Sequence, residues 1–274
     1  MPNDDDELMV SLARLAGEHA LPLFLLLLGG VLTASWAAWW TLQHHAVPRL
    51  RSRLPPGLFM ALPIAGGFAL IVAGASVFAE LAEELGTGDE MARADQALTD
   101  ALRRSVPAAA IHVFAVLTRL GDTATLVVLC VLVATVLLVR GRPWLALGWV
   151  CAVGGNGLLN QTLKHVFARA RPVHDDGLVL ADGFSFPSGH SSGAVVTYTM
   201  LAYLALRLLS PRWHLPAVLG AVALAVTVGA SRIFLRVHFA SDVVAGFASG
   251  AAWLAVCIAA IEGVRWRLQP ARSV

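Results

Sequence analysis

The stretch LPLFLLLLGGVLTASWAAWWTLQ, Leu21–Gln43, carries no charged side chain from end to end. A helix rises about 1.5 Å per residue, so roughly 20 apolar residues cross the hydrocarbon core of a bilayer. This run is long enough to do so. Six more runs resemble it: Leu58–Ala79, Thr123–Val139, Trp144–Leu163, Gly189–Leu209, Leu215–Ala230 and Val243–Ile261. Thr123–Val139 and Leu215–Ala230 are short and would have to tilt or extend by a turn. The expected fold is all-α, a polytopic membrane helix bundle.

Composition points the same way. Of the 274 residues 57% are hydrophobic and 14% charged, with a mean hydropathy of +0.71. A soluble domain is roughly 25% charged. The apolar excess is too large for one soluble core, which excludes a disordered chain, a basic nucleic-acid binder and an ordinary cytosolic enzyme. The net charge of +2 names no partner. Cys130, Cys151 and Cys257 are odd in number and lie inside apolar runs, so neither a disulfide framework nor a zinc site is expected.

Short loops set orientation through their Arg and Lys content. Arg49, Arg51, Arg53, Arg140, Arg142, Arg207, Arg212, Arg265, Arg267 and Arg272 fall on one side, with Glu262 as the single acid. The other ten basic and seventeen acidic residues fall on the opposite side. The first side is expected to be cytoplasmic. The N-terminus, with Asp4-Asp5-Asp6-Glu7, then faces outward as a tail, and it lacks the basic start of a signal peptide. The first apolar run connects through His44–Pro56, which holds three prolines, and reads as an extra helix loosely joined to a six-helix core.

The longest segment outside the runs is Glu80–Gly121, on the outer side. Met91, Ala94, Leu98 and Leu102 share one face of a helix over Met91–Arg104, expected to lie on the membrane surface. Ala108–Leu120 is too short to span and reads as an interfacial or re-entrant helix ended by Gly121-Asp122. The pair is expected to flank a sideways opening for lipid, with Leu98 and Leu102 on it.

Charged groups cost about 2.5–3.5 kcal/mol each at the centre of a membrane helix, so those kept near the bilayer usually have a task. They gather in three clusters at outer helix ends. In the first, Lys164 (the chain's single lysine) and Arg171 are seven residues apart and can project from one helical face, with Pro172 stopping the helix. Two such cations suit a dianion such as phosphate. In the second, Pro187-Ser188-Gly189-His190 opens a helix whose N–H groups can bind an anion, beside a histidine able to exchange a proton. In the third, Arg232 ends a helix, and His238 and Asp242 are four apart. A carboxylate holding one ring nitrogen protonated leaves the other bare and nucleophilic. Each cluster alone also fits an ordinary helix end or structural pair. Asn156, Asn160 and Gln161 fit helix packing at least as well as substrate contact, Arg169 and Arg236 read as solvated ahead of a part in the phosphate field, and His165 and His174 read as bystanders.

Together, in order, the clusters spell Lys-six residues-Arg-Pro, Pro-Ser-Gly-His and Ser-Arg-five residues-His-three residues-Asp, as Lys164…Arg171-Pro172, Pro187–His190 and Ser231-Arg232…His238…Asp242. In this the chain resembles the type 2 phosphatidic acid phosphatase family, which includes lipid phosphate phosphatases, undecaprenyl pyrophosphate phosphatases and vanadium haloperoxidases. The resemblance covers roughly Ser76–Glu262. It implies that His238 attacks phosphorus, that Asp242 orients it, and that His190 protonates the leaving oxygen and then activates water. Lys164, Arg171 and Arg232, with the backbone of Ser188 and Gly189, would hold the phosphoryl oxygens. No cofactor or metal is implied, because the cations supply the charge and no carboxylate cluster offers itself to Mg²⁺.

The expected organisation is an outward tail, extra helix and cytoplasmic loop over residues 1–57, a phosphatase core over 58–264 and a cytoplasmic tail over 265–274. The expected activity is hydrolysis of a membrane lipid phosphate at the outer face of a bacterial plasma membrane. Undecaprenyl diphosphate is the first expected substrate, with phosphatidylglycerol phosphate, phosphatidic acid or phosphotransfer to another acceptor as alternatives. A lipid-phosphate binder or transporter is disfavoured, since it needs neither nucleophile nor acid. Nucleic acid is not an expected partner.

Overall fold

The computed structural model describes residues 4–87, 89–172 and 182–268, and within these the regular structure is wholly helical. The chain opens with α1 (Asp4–Glu18) and α2 (Ala20–Thr41). A π turn, Leu42–Ala46, leads into α3 (Val47–Arg53). Next come α4 (Pro56–Thr87), α5 (Asp89–Ser105) and α6 (Ala108–Leu117). A 3₁₀ turn, Thr118–Gly121, joins α6 to α7 (Thr123–Val139) at a bend of 41°. The chain continues through α8 (Pro143–Phe167), α9 (Gly189–Leu208), α10 (His214–Phe234) and α11 (Ala240–Leu268).

Each of the seven apolar runs forms a helix, but they are not seven equal spans. Ala20–Arg53, Leu62–Leu85, Pro211–Phe234 and Ala240–Arg265 are long and apolar enough to cross a membrane, and the bent pair α6–α7 makes a fifth. The helices α8 and α9 fall short in apolarity. Asn156 and Asn160 on α8 and Ser192 on α9 turn toward one another and are buried. Helices packed on protein, unlike those facing lipid, can carry such groups.

The helix α9 is the hub, with ten buried residues from Ser191 to Leu204. It packs against α8, α10 and α11. Trp149, Val196, Met200, Leu204 and Leu254 form one core between these helices. By contrast, α2 and α4 present Leu25, Leu26, Ile64 and Phe68 outward, as lipid-facing helices do.

Five expectations change. The N-terminal tail is a helix, α1, which lies along α5, with the Ser105 hydroxyl donating to the Gly17 carbonyl at 2.7 Å. The link His44–Pro56 is not loose, because the π turn passes into α3 with Pro48 in its first turn, where a missing N–H costs nothing. The acidic stretch from Glu80 to Thr87 is the end of α4 rather than part of a loop. Nor is α2 an outlier. Phe24 meets Phe114 and Phe234 edge-on, at 5.4 and 5.8 Å between ring centroids, while those two stack on each other at 4.1 Å. Leu102 belongs to this same core, so it is a packing residue and not the rim of a lipid opening.

Candidate active site

The three clusters converge at one end of the bundle. The first is not carried on one helical face. The helix α8 stops at Phe167, well before Pro172, and Ala168 turns left-handed with φ 46°. Arg171 therefore reaches back from the following loop. It donates from Nε to the Gly183 carbonyl at 3.0 Å and from Nη2 to the Asp182 carbonyl at 3.2 Å. Its Nη1 reaches the Val237 carbonyl at 2.7 Å and His238 Nε2 at 3.0 Å. Lys164 donates to the carbonyls of Phe184 and Ser185.

That contact fixes the tautomer of His238. A guanidinium nitrogen can only donate, so Nε2 must accept and Nδ1 must carry the proton. Nδ1 lies 3.3 Å from Asp242 Oδ2. The loop from Leu235 to Phe239 holds His238 just ahead of α11, and Asp242 sits in the helix's first turn. Its Oδ2 also accepts from the Phe239 N–H at 2.9 Å, the reach-back half of a capping box, and from the Ser185 hydroxyl. The carboxylate is thereby fixed before any ligand arrives. Burial holds the His238 imidazole far below its ordinary pKa, to about 3, against the pull of Asp242 toward protonation. At neutral pH His238 is an uncharged imidazole with the Nε2 lone pair turned to the cations.

The second cluster shares the work differently from the expectation. The Ser188 N–H donates to the Asp242 carbonyl at 2.9 Å, and its hydroxyl caps α9 by accepting from Ser191. Ser188 therefore ties α9 to α11 and does not offer its N–H to a ligand. The N–H groups of Gly189 and His190, in the first turn of the helix, remain as its anion-facing donors. Close packing makes this possible: a Cβ at Gly246 would lie 2.6 Å from the Ser188 carbonyl. Asn160 donates to the Pro187 carbonyl at 3.4 Å and to Ser192 at 3.3 Å, the helix-packing role expected of it.

Several functional neighbours were not legible in the sequence. His190 Nε2 lies 2.9 Å from Asp122 Oδ1, which arrives from the start of α7. Gly121 permits the approach, since a Cβ there would meet Val228 at 2.5 Å and the His190 ring at 3.0 Å. Arg232 is buried and donates from Nη1 to Thr118 at 2.8 Å, while its Nε has no partner among the described residues. An unpaired buried donor costs about 1–3 kcal/mol. An oxyanion there would relieve it.

Arg169 is not solvated. Its Nη1 donates to Asp242 Oδ1 and to the Ser241 hydroxyl, each at 2.7 Å, and its Nη2 to Asp95 Oδ2 at 3.0 Å. The guanidinium also lies 4.3 Å from the centre of the Phe239 ring. His165 bonds back to its own helix at the Gln161 carbonyl, as a bystander would. His174 lies outside the described residues.

Lys164, Arg171 and Arg232 feel one another's charge, and Arg171 and Arg232 act on both His190 and His238. The arrangement is two histidines, each with a carboxylate, beneath three fixed cations. A separate cavity of about 690 Å³ opens at the opposite end of the bundle, bordered by Arg142, Trp144, Tyr203, Arg207 and Trp253. None of the motif residues lines it.

Comparison with known proteins agrees. Residues 143–266 match the PAP2 superfamily model. Phosphatidylglycerophosphatase B of Bacillus subtilis is 36% identical over 137 residues, covering 49% of this chain and 66% of that protein. Lipid A 1-phosphatase of Rhizobium johnstonii is 31% identical over 194 residues, covering 60% and 74%. The crystal structure of a transmembrane PAP2-type phosphatidylglycerolphosphate phosphatase from Bacillus subtilis superposes with a TM-score of 0.64 at 30% identity, over 73% of this chain and 99% of that one. With the ordered motifs gathered at one end of a helical membrane bundle, the chain belongs to the PAP2 superfamily.

Proposed function

We propose that this protein is a lipid phosphatase working through a phosphohistidine. The observation that carries the reading is the locked tautomer of His238: its proton is directed at Asp242 and its Nε2 lone pair at Arg171. A phosphoryl group entering the site takes over the Arg171 hydrogen bond and exposes that lone pair. Nε2 then bonds to phosphorus as the bond to the leaving oxygen breaks, and protonated His190 supplies that oxygen's proton. In the second half, neutral His190 takes a proton from water, the water oxygen attacks phosphorus, and the N–P bond returns its pair to His238. In the absence of phosphate, burial first and then Arg232 and Arg171 hold the His190 pKa down, to about 4, while Asp122 favours protonation. A bound dianion offsets the two arginines, so the acid forms where it is needed.

The three cations and the first-turn N–H groups of α9 compensate the phosphoryl charge, and the proposed chemistry needs no metal. The substrate is a phosphate on a membrane lipid, approached from the outer face by the Arg and Lys distribution. Two relatives carry names that place their chemistry on phosphatidylglycerophosphate and on the 1-phosphate of lipid A. These names support a phosphomonoester on a membrane lipid as the substrate, with phosphatidylglycerophosphate ranked first, ahead of the undecaprenyl diphosphate expected from sequence. Purified protein given a panel of these lipids, with released phosphate measured, tests the ranking. A phosphoenzyme labile to acid and stable to alkali should form from labelled substrate and be absent in His238→Gln. Wild-type-like turnover by that variant would refute the covalent route.

A further inference from the structure

Asp95 lies outside every motif, on the surface helix α5, yet it is 5% exposed. Its neighbours explain the burial. Oδ2 accepts from Arg169 Nη2 at 3.0 Å and from the Ser241 hydroxyl, and Oδ1 accepts from the Ser241 N–H at 3.3 Å. Arg169 in turn holds Asp242 Oδ1 at 2.7 Å, the oxygen not used by His238. The chain Asp95–Arg169–Asp242–His238 is continuous, each link a hydrogen bond between named atoms. We infer that Asp95 is a positioning residue for the His238–Asp242 pair, acting through Arg169 and Ser241.

The physical reason is a shared cation. Arg169 divides its charge between two carboxylates. Without Asp95, all of it would fall on Asp242, which would then accept the Nδ1 proton of His238 less strongly. The Nε2 lone pair would be correspondingly less basic. Asp95 also holds Ser241 at the start of α11, so it fixes the turn from which Asp242 projects. Because α5 lies along α1 at the surface of the bundle, the alignment of the nucleophile is tied to the seating of that helix pair.

Charge burial works against a carboxylate here. Burial pushes the Asp95 pKa up, against Ser241 and Arg169, which pull it down. A raised folded-state value means that folding favours the proton, so the ionised group weakens the fold as pH rises through that value. The isosteric amide keeps the volume and removes the charge, but it sets its Nδ2 against a donor, the Ser241 N–H or Arg169, at a cost in stability. Arg169 would not be orphaned, since it keeps Asp242 and Phe239.

The proposal rests on the phosphohistidine reading, and its test uses two probes that need no turnover. Orthovanadate forms a bond to the attacking nitrogen as a five-coordinate mimic of the transition state, whereas inorganic phosphate is held by the cations alone. Ligand-induced shifts in melting temperature, measured on the full chain in detergent, give both affinities. Asp95→Asn should weaken vanadate about ten-fold and leave phosphate within two-fold, with kcat falling about ten-fold at constant KM for a short-chain lipid phosphate. Asp100→Asn, an exposed carboxylate on the same helix, should change neither affinity. Equal loss of both ligands, no loss of either, or absence of vanadate binding in the wild type would overturn the inference. Failure of every lipid phosphate to turn over, with the vanadate contrast intact, would instead remove the proposed function and leave the positioning role standing.

Discussion

Asp122→Asn isolates the second His–Asp pair. The asparagine keeps the shape and an acceptor for His190, and removes only charge. The side chain makes no capping bond to α7, so helix stability is not confounded. Two unit charges about 4 Å apart near a protein surface interact by about 4 kcal/mol at an effective dielectric of 20. Here the Asp122 side chain is 46% exposed and that of His190 21%, so screening reduces this toward the roughly 0.2–1 kcal/mol of open pairs. Between these bounds, about 1.4 kcal/mol corresponds to about one pH unit. His190 acts as an acid in its protonated form, so phosphoenzyme formation is lost as pH rises through its titration. Without the carboxylate that loss comes about one unit earlier. The assay is single-turnover phosphoenzyme formation at saturating substrate, followed across pH. A rate reduced equally at every pH, with the alkaline limb unmoved, would show that Asp122 only holds the ring and would refute the charge argument. The acid side should stay flat down to about pH 6, where a phosphomonoester itself takes up its second proton, because burial keeps the His238 imidazole neutral throughout that range.

Gly121→Ala should disturb the same pair sterically. Its new methyl would press on Val228 and the His190 ring, costing about 1–3 kcal/mol of stability by overpacking and lowering kcat more than it raises KM. Activity should survive EDTA and be blocked by vanadate; abolition by EDTA with rescue by Mg²⁺ would show that the cations do not carry the charge compensation. A cysteine at position 182 should react with an impermeant thiol reagent from outside, and one at position 52 should not, the reverse result placing the chemistry in the cytoplasm.

Much of the site is local and therefore legible. The apolar runs follow from the length a bilayer demands, whatever packs beside them. His238 and Asp242 are four residues apart, and Ser188 precedes a helix it can cap, so sequence spacing brings these groups together. Local periodicity also misled. Seven residues between Lys164 and Arg171 suggest one helical face, yet the helix ends at Phe167, and the two cations meet because the loop folds back onto carbonyls of residues 182–185. Equal-looking apolar runs proved unequal, because whether an asparagine faces lipid or a serine on the next helix is decided only by packing. Asp95 and Asp122 are separated from their partners by 74 and 68 residues, in Arg169 and His190. No pattern in the chain marks them, since each is a single acid among many. Sequence determined the ordered motifs and the His238–Asp242 pair, four positions apart; the tertiary structure alone decided that Asp122 stands behind His190 and that Asp95 and Arg169 stand behind Asp242, because contacts between residues far apart in the chain are fixed by how helices pack and not by how residues are spaced.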